Sequence, residues 1–320
     1  MMTKGEAPGT IRVGISGWTY PPWRGVFYPK GLRQARELAY AAERFSTIEI
    51  NGTFYCMQRP SSFAGWAAAT PPDFVFSIKA SRFITHMLKL RNPEQALANF
   101  FASGLLALGP KLGPILWQFP PQFRFNPEIL ETFFQLLPQT TEEAAVLARR
   151  HDQRLEGRAH TETDQKRPIR HAMEIRNDSF LSEAFIRLLR RYNVALVCAD
   201  TVAWPRLVDA TADFVYCRLH GSKELYASGY ERAAIATWAD RVVAWATGNP
   251  ARGKRIAPFG ELDSRPHDVY VYFDNDAKVR APFDALALER RLIKLGIPEP
   301  PKSKLPTPAE QQHLPLGQAG

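Results

Sequence analysis

This chain is poor in the residues that crosslink a fold or anchor it to a membrane. Three cysteines, Cys56, Cys198 and Cys217, occur in 320 residues with no C-x-x-C spacing, which argues against a disulfide framework or a thiolate zinc site. Cys198 and Cys217 fall inside predicted strands, where a core role is expected. No apolar run approaches the length of a membrane span, and Met1 to Thr10 has no apolar signal segment. A soluble, cytoplasmic protein with no membrane contact and no evident protein partner is therefore expected. There is neither a G-x-G-x-x-G turn entering a helix nor a P-loop, so the usual tokens of dinucleotide and nucleotide triphosphate binding are missing. Histidine is also scarce, at seven residues. The net charge of +9 is a modest excess; it leans toward anionic partners such as nucleic acid or phosphorylated metabolites, although a solvated surface accounts for most of it.

Hydrophobic residues make up 45% of the chain, enough for a large core. Eight short apolar runs recur along it: Ile11 to Ser16, Thr47 to Asn51, Phe74 to Lys79, Pro114 to Gln118, Arg170 to Arg176, Val194 to Asp200, Phe214 to His220 and Val269 to Asn275. Between them lie stretches of helical period, such as Ala35, Leu38, Ala39, Ala42 and Phe45, with others at 93–108, 127–137, 182–192, 231–246 and 282–295. Alternating strands and helices imply parallel strands, which must be covered on both faces or closed. Eight units favour closure into a single (β/α)8 TIM-type barrel of α/β class over a doubly wound open sheet. The barrel domain is placed at 11–296, after a flexible N-terminus, 1–10. A charged insertion at 141–169 reads as a solvated helix running into a mobile loop, with an interaction arm as the lesser reading. The proline-rich tail, 297–320, reads as disordered.

Barrels do chemistry at the C-terminal ends of their strands, and charge gathers there. Strand alternation puts Glu49 with Asn51, Ser77 with Lys79, Glu174 with Arg176, Cys198 with Asp200, and Arg218 with His220 on common faces, all expected to point inward. Two readings follow. Either Glu49, Glu174, Arg176 and Arg218 neutralise one another as an internal ion-pair network, or these strand ends build a reactive site, since unpaired buried ions are costly. Asp200 and Asn275 also suit turn capping. Aromatics crowd the loops: Trp18, Tyr20, Trp23, Phe27 and Tyr28 in the first, Phe119, Phe123 and Phe125 in the fourth, with Phe54, Tyr55, Trp204, Tyr226 and Tyr230 elsewhere. They could stack on a base or sugar, or pack a thick loop layer. The third loop, Ala80 to His86, offers Ser81, Arg82, Thr85 and His86 for an anion.

In order, Gly14-Ile15-Ser16-Gly17-Trp18, Glu49-Ile50-Asn51-Gly52-Thr53-Phe54-Tyr55, Phe76-Ser77-Ile78-Lys79-Ala80-Ser81, Gln118-Phe119-Pro120, Glu174-Ile175-Arg176, Ala199-Asp200, Arg218-Leu219-His220-Gly221 and Phe273-Asp274-Asn275-Asp276 resemble the YecE-like family, domain of unknown function 72. The resemblance covers about 11–296 and implies a TIM-type barrel of unsettled activity, with an analogy of fold to apurinic endonucleases and sugar isomerases. The family often has His at the position of Asn177 and Asn at that of Asp274.

The expected site has Glu174, His220, Lys79 and Asp200 as catalytic groups. Arg176, Arg218, Asn51, His86, Trp18, Tyr230, Gln118 and Asn275 are expected to bind substrate. Glu49, Glu174 and Asp200 are the oxygen ligands available for one divalent ion, Mg2+ or Mn2+. Glu174 beside two guanidiniums is a better anchor than base, which leaves His220 as proton carrier. The favoured reaction is that of a hydrolase or lyase on a phosphate-bearing substrate, either a small anion or nucleic acid. An isomerase or epimerase of a sugar or sugar phosphate, and a binding protein without turnover, are the alternatives. A pocket-sized cavity favours the isomerase and an open basic groove favours nucleic acid.

Overall fold

A computed structural model describes residues 7–221 and 228–300. The terminal segments 1–6 and 301–320, and with them most of the expected tail, lie outside the described residues, as does Tyr226.

The eight expected runs form β1 (Ile11–Ser16), β2 (Thr47–Ile50), β3 (Val75–Lys79), β4 (Leu112–Gln118), β5 (His171–Glu174), β6 (Val194–Asp200), β7 (Phe214–Leu219) and β8 (Asp268–Phe273). They pair in sequence order, and β1 closes on β8. Every pairing is parallel. Among the described residues the helices are α1 (Glu37–Ala42), α2 (Gly52–Tyr55), α3 (Pro60–Ala68), α4 (Glu94–Ala102), α5 (Pro127–Leu136), α6 (Thr141–Ala148), α7 (Glu183–Arg191), α8 (Arg232–Ala246) and α9 (Ala281–Lys294). None is long and apolar enough to cross a membrane.

Local chemistry sets these boundaries. Asn126 caps α5 by accepting from Ile129 N at 3.0 Å, and Pro127 takes the first turn, where its missing N–H costs nothing. Ser182 caps α7, which buries Phe185, Ile186, Leu188 and Leu189 and ends on Arg190 and Arg191 beside its negative pole.

The main core lies between the barrel wall and the helices and takes the outward-facing side chains of every strand: Val13, Ile48, Phe76, Ile115, Met173, Leu196, Cys217 and Val271. A second cluster fills the barrel itself, where Ala195, Val197 and Ala199 of β6 leave room for Tyr216 and Tyr272 from β7 and β8. The tyrosine hydroxyls cannot be buried unpaired. Tyr272 Oη lies 2.7 Å from Thr47 Oγ1, and Tyr216 Oη donates to Glu49 Oε2 at 2.7 Å. The interior thus turns polar toward the strand ends.

Segment 141–169 differs from the expected mobile loop. After α6 it folds back, with Thr141 Oγ1 donating to Gln165 O at 2.7 Å, His160 N to Ala102 O at 2.8 Å and Asn99 Nδ2 to Asp152 Oδ2 at 3.1 Å. Some of its charges pair within the segment, Arg154 with Asp152 and Arg167 with Asp164, and amides of α4 reach it from Asn99 and Gln95.

Close strand approach needs Gly14. A Cβ there would lie 2.0 Å from Thr47 O on β2. Gly14→Ala is expected to lower stability by about 1–3 kcal/mol, as overpacking does, read as a lower urea midpoint at unchanged slope.

Candidate functional site

Register decides which polar strand ends face the barrel mouth. Arg218 of β7 pairs with Ala199 of β6 and Tyr272 of β8, and paired neighbours share a face. Ala199, Arg218 and Tyr272 therefore look inward, and so does Asp274 two residues beyond Tyr272. Asp200 and Asn275 look outward, which corrects both expectations. Asp200 accepts from Trp238 Nε1 at 2.9 Å and Arg206 Nη1 at 2.6 Å, tying the end of β6 to α8. Asn275 Nδ2 donates to Asp284 Oδ2 at 2.8 Å and Ser228 O at 3.0 Å.

At the centre stands Arg218, fully buried. Its Nε and Nη2 donate to the two oxygens of Glu49 at 3.0 and 2.8 Å, its Nη1 to Glu174 Oε2 at 2.7 Å and its Nη2 to Asp274 Oδ2 at 2.8 Å. Ser16 and Tyr216 also donate to Glu49, and Gln118 and Arg176 to Glu174. The ion-pair network expected as one reading is thus present, with Asp274 added. Burial opposes the charge on Glu174, but the guanidiniums of Arg176 and Arg218 outweigh it and hold the carboxyl well below its ordinary range. Asp274 is likewise lowered to about 2, burial being overcome chiefly by Arg218. His220, fully buried, sits with Nδ1 3.0 Å from Asp274 and Nε2 3.8 Å from Glu174, and Trp204 packs edge-on against it. It lies behind the wall of the cavity described next, not on it, so the expected direct proton carrier has no access from this side.

In front of the network opens a cavity of about 620 Å³ lined by Tyr20, Asn51, Phe54, Tyr55, Lys79, Arg82, His86, Met87, Gln118, Arg176, Asp274 and Asp276. Of the residues expected to form the site, Lys79, Asn51, His86, Gln118 and Arg176 meet here, backed by Glu49, Glu174, Arg218 and His220. Trp18 does not join them: it packs edge-on to Trp66, 5.4 Å between ring centres, and its carbonyl accepts from Tyr28 Oη. Tyr230 is also elsewhere, accepting from Gly221 N at 3.2 Å and donating its own N–H to Asp284. Most of the loop aromatics pack on one another, such as Trp23, Phe27 and Tyr28, which are buried. Trp204 lies under the Arg176 guanidinium, 4.0 Å from its ring centre.

Lys79 is buried by the cavity wall, its Nζ 4.5 Å from the centre of the Phe54 ring. Among the described residues no carboxylate or hydrogen-bond acceptor meets this ammonium. Burial and then the charge of Arg218 lower its pKa, more than the carboxylates raise it. Asp276 moves the other way, to about 8, through burial and the negative charge of Asp274. His86 falls to about 4 through burial and the nearby cations Arg176, Lys79 and Arg82. It is therefore neutral near pH 7. Asp274 and Asp276 were not among the expected site residues, whereas Tyr20 and Tyr55 were expected only as loop aromatics and Arg82 only as part of the anion-binding third loop. The alternation Tyr270, Tyr272, Asp274 along β8 is the signal that finds the first of them.

The expected ligands do not fit a divalent ion. Every oxygen of Glu49 and Glu174 already accepts from an arginine, and Asp200 lies on the other face of the wall. Among the described residues no three His, Cys, Asp or Glu side chains are grouped to hold a metal.

The profile of a family described as Protein of unknown function DUF72 matches residues 12–310. Protein YunF of Bacillus subtilis is 29% identical over 118 residues, 35% of this chain and 41% of that protein. Protein YecE of Escherichia coli K12 is 27% identical over 113 residues, 35% and 39% of the two chains. These matched segments thus span about two fifths of the curated relatives. The crystal structure of a DUF72 family protein from Thermotoga maritima superposes with TM-score 0.68 at 25% identity, over 89% of this chain and 99% of the other. One from Enterococcus faecalis gives 0.62 at 17% identity, over 89% and 96%, a likeness of fold.

Removing the central cation would leave three buried carboxyl groups without it. Arg218→Leu is expected to cost about 3–5 kcal/mol in urea unfolding, the usual effect of breaking a buried pair. Asp276 makes stability depend on pH in the unusual direction for a carboxyl. Its unfolded form ionises near the ordinary 3.8 and its folded form near 8, so the folded state retains the proton and loses stability as pH rises between them. Asp276→Asn should raise the urea midpoint, with a gain that grows from pH 4 to pH 8; a gain that is flat or shrinks over that range contradicts the assignment.

Proposed function

This chain belongs to the DUF72 family of proteins of unknown function, and from the geometry of its barrel mouth we propose that it is an enzyme moving a proton on a small anionic, phosphate-bearing substrate, as an isomerase, epimerase or lyase does. The observation that carries this reading is the pairing of Lys79 and Asp276 on one cavity, an amine depressed by burial and a carboxyl raised to about 8. An amine shifted down and a carboxyl shifted up in this way suit a base and an acid working near neutral pH.

In this mechanism the neutral Lys79 amine takes a proton from a carbon beside a carbonyl, and protonated Asp276 gives its proton to the carbonyl oxygen. A neutral enol results, with the positive charge on Lys79 and the negative charge on Asp276. Where the deprotonated carbon carries a hydroxyl, delivery of the first proton to the former carbonyl carbon and loss of that second hydroxyl's proton to Asp276 complete an isomerisation. Where a leaving group stands β to the carbonyl, its departure with the bonding pair and return of the enol oxygen's proton to Asp276 complete an elimination. Arg176 holds the anionic group, while Asn51, Gln118 and neutral His86 orient hydroxyls. A cavity of about 620 Å³ suits a small molecule better than a nucleic-acid strand, which calls for an open basic groove.

Incubating the full chain in D2O with a panel of phosphorylated ketoses, aldoses and hydroxy acids tests the reaction. Deuterium should enter one carbon of a panel member, by NMR, and Lys79→Met should slow exchange by about 10²–10⁴-fold, the usual share of general base catalysis. The wild-type rate should fall above about pH 8 as Asp276 loses its proton, and Asp276→Asn should abolish that limb. Exchange that Lys79→Met leaves unchanged, or no exchange across the panel, counts against the proposal.

A further inference from the structure

One part of the cavity has no use in the reaction above. At its rim Tyr55 is 68% exposed, and the Arg82 guanidinium carbon stands 6.0 Å from the centre of the Tyr55 ring. Elsewhere in the chain such arginine pairs run from 3.3 Å for Arg44 on Tyr40 to 5.3 Å for Arg255 on Phe259, so this one stands at the outer limit of a cation–π contact. Two layers of van der Waals contact need roughly 7–8 Å. A flat ring therefore fits between Tyr55 and Arg82 once these exposed side chains part by about 1–2 Å.

The platform is rigid on one side. Tyr55 ends α2, where Thr53 Oγ1 donates to Ile50 O at 2.9 Å and Lys79 O at 2.7 Å, and the buried Phe54 ring meets Tyr55 edge-on at 5.1 Å. The other side is free to adjust, since among the described residues no carboxylate pairs with Arg82. Met87, 63% exposed, adds a polarisable apolar edge on the same cavity.

We infer that the substrate carries a flat aromatic ring joined to its anionic group, the ring seated between Tyr55 and Arg82 and the anion turned inward to Arg176: a nucleotide-like molecule in place of a plain sugar phosphate. This rests on the proton-transfer reading for the inner half of the cavity. The volume agrees, since cavities of roughly 300–1,000 Å³ take ligands of drug size, and this one, at about 620 Å³, exceeds what a lone sugar phosphate fills. An aromatic ring gains from both walls, by stacking on Tyr55 and by the cation of Arg82 over its face.

Calorimetric titration of the full chain with adenosine 5′-monophosphate, ribose 5-phosphate and adenosine separates ring from anion. The monophosphate should bind tightest. Tyr55→Leu should weaken it by about fivefold or more, the loss expected for one stacked base, with ribose 5-phosphate changed less than about twofold and Tyr55→Trp restoring the affinity. A monophosphate that binds no tighter than ribose 5-phosphate, or equal losses for both in Tyr55→Leu, would overturn the slot. The two claims fail separately: Lys79-dependent deuterium exchange without ring discrimination removes the slot alone, whereas ring discrimination with no Lys79-dependent exchange removes the reaction and leaves the slot.

Discussion

The barrel mouth is organised by one buried cation. Arg218 is fixed by carboxylates from β2, β5 and the residue after β8, so a single guanidinium ties together strands from around the closed sheet. Desolvating any of these ions alone costs several kcal/mol, and only complete pairing offsets that. Completeness is visible in the acceptors: Glu49 also receives Ser16 and Tyr216, and Glu174 receives Gln118 and Arg176. The polar layer continues downward through Tyr216 to Ser77, 2.6 Å away. The carboxylates of the interior are therefore satisfied in one connected set.

This arrangement decides which groups remain available for chemistry. Carboxylates gripped by arginine are poor bases, because the same contacts that hold them lower their affinity for a proton. Glu174 is thus an anchor, and both oxygens of Glu49 are occupied by Arg218. Lys79 differs in kind, since it reaches the cavity wall past Phe54 and meets no counter-ion among the described residues. Among the described residues, Arg176 and Arg218 at this mouth meet carboxylates and Lys79 does not.

Much of this is legible in the sequence, and the failures have a common cause. Parallel strands covered on both faces are apolar on both, so hydrophobic alternation, which fixes orientation in half-exposed strands, is missing. Where the strand end itself carries the charge at inward parity, as at Glu49, Glu174 and Arg218, the expected placement agrees with the structure. At β6 and β8 two polar candidates are reachable by a shift of one residue, and that shift exchanges the faces. The sequence favours Asp200 and Asn275 as the inward pair; the register with Arg218 turns both outward and brings Asp274 in. The aromatic loops are ambiguous for another reason. A thick loop layer over a barrel needs aromatics for its own packing, as with Phe119, Phe123 and Phe180, and nothing local distinguishes those from Tyr55, left open at the rim.

The network also acts on groups it does not bind. Burial disfavours charge on Lys79 and Asp276 alike, yet the next largest influence differs in sign: Arg218 repels the proton from Lys79, and Asp274 retains the proton on Asp276. These two influences come from the two ends of one salt bridge, Arg218 Nη2 to Asp274 Oδ2 at 2.8 Å. Neutralising that pair by substitution would act on both shifts together, so the lowered amine and the raised carboxyl are one property of the barrel mouth.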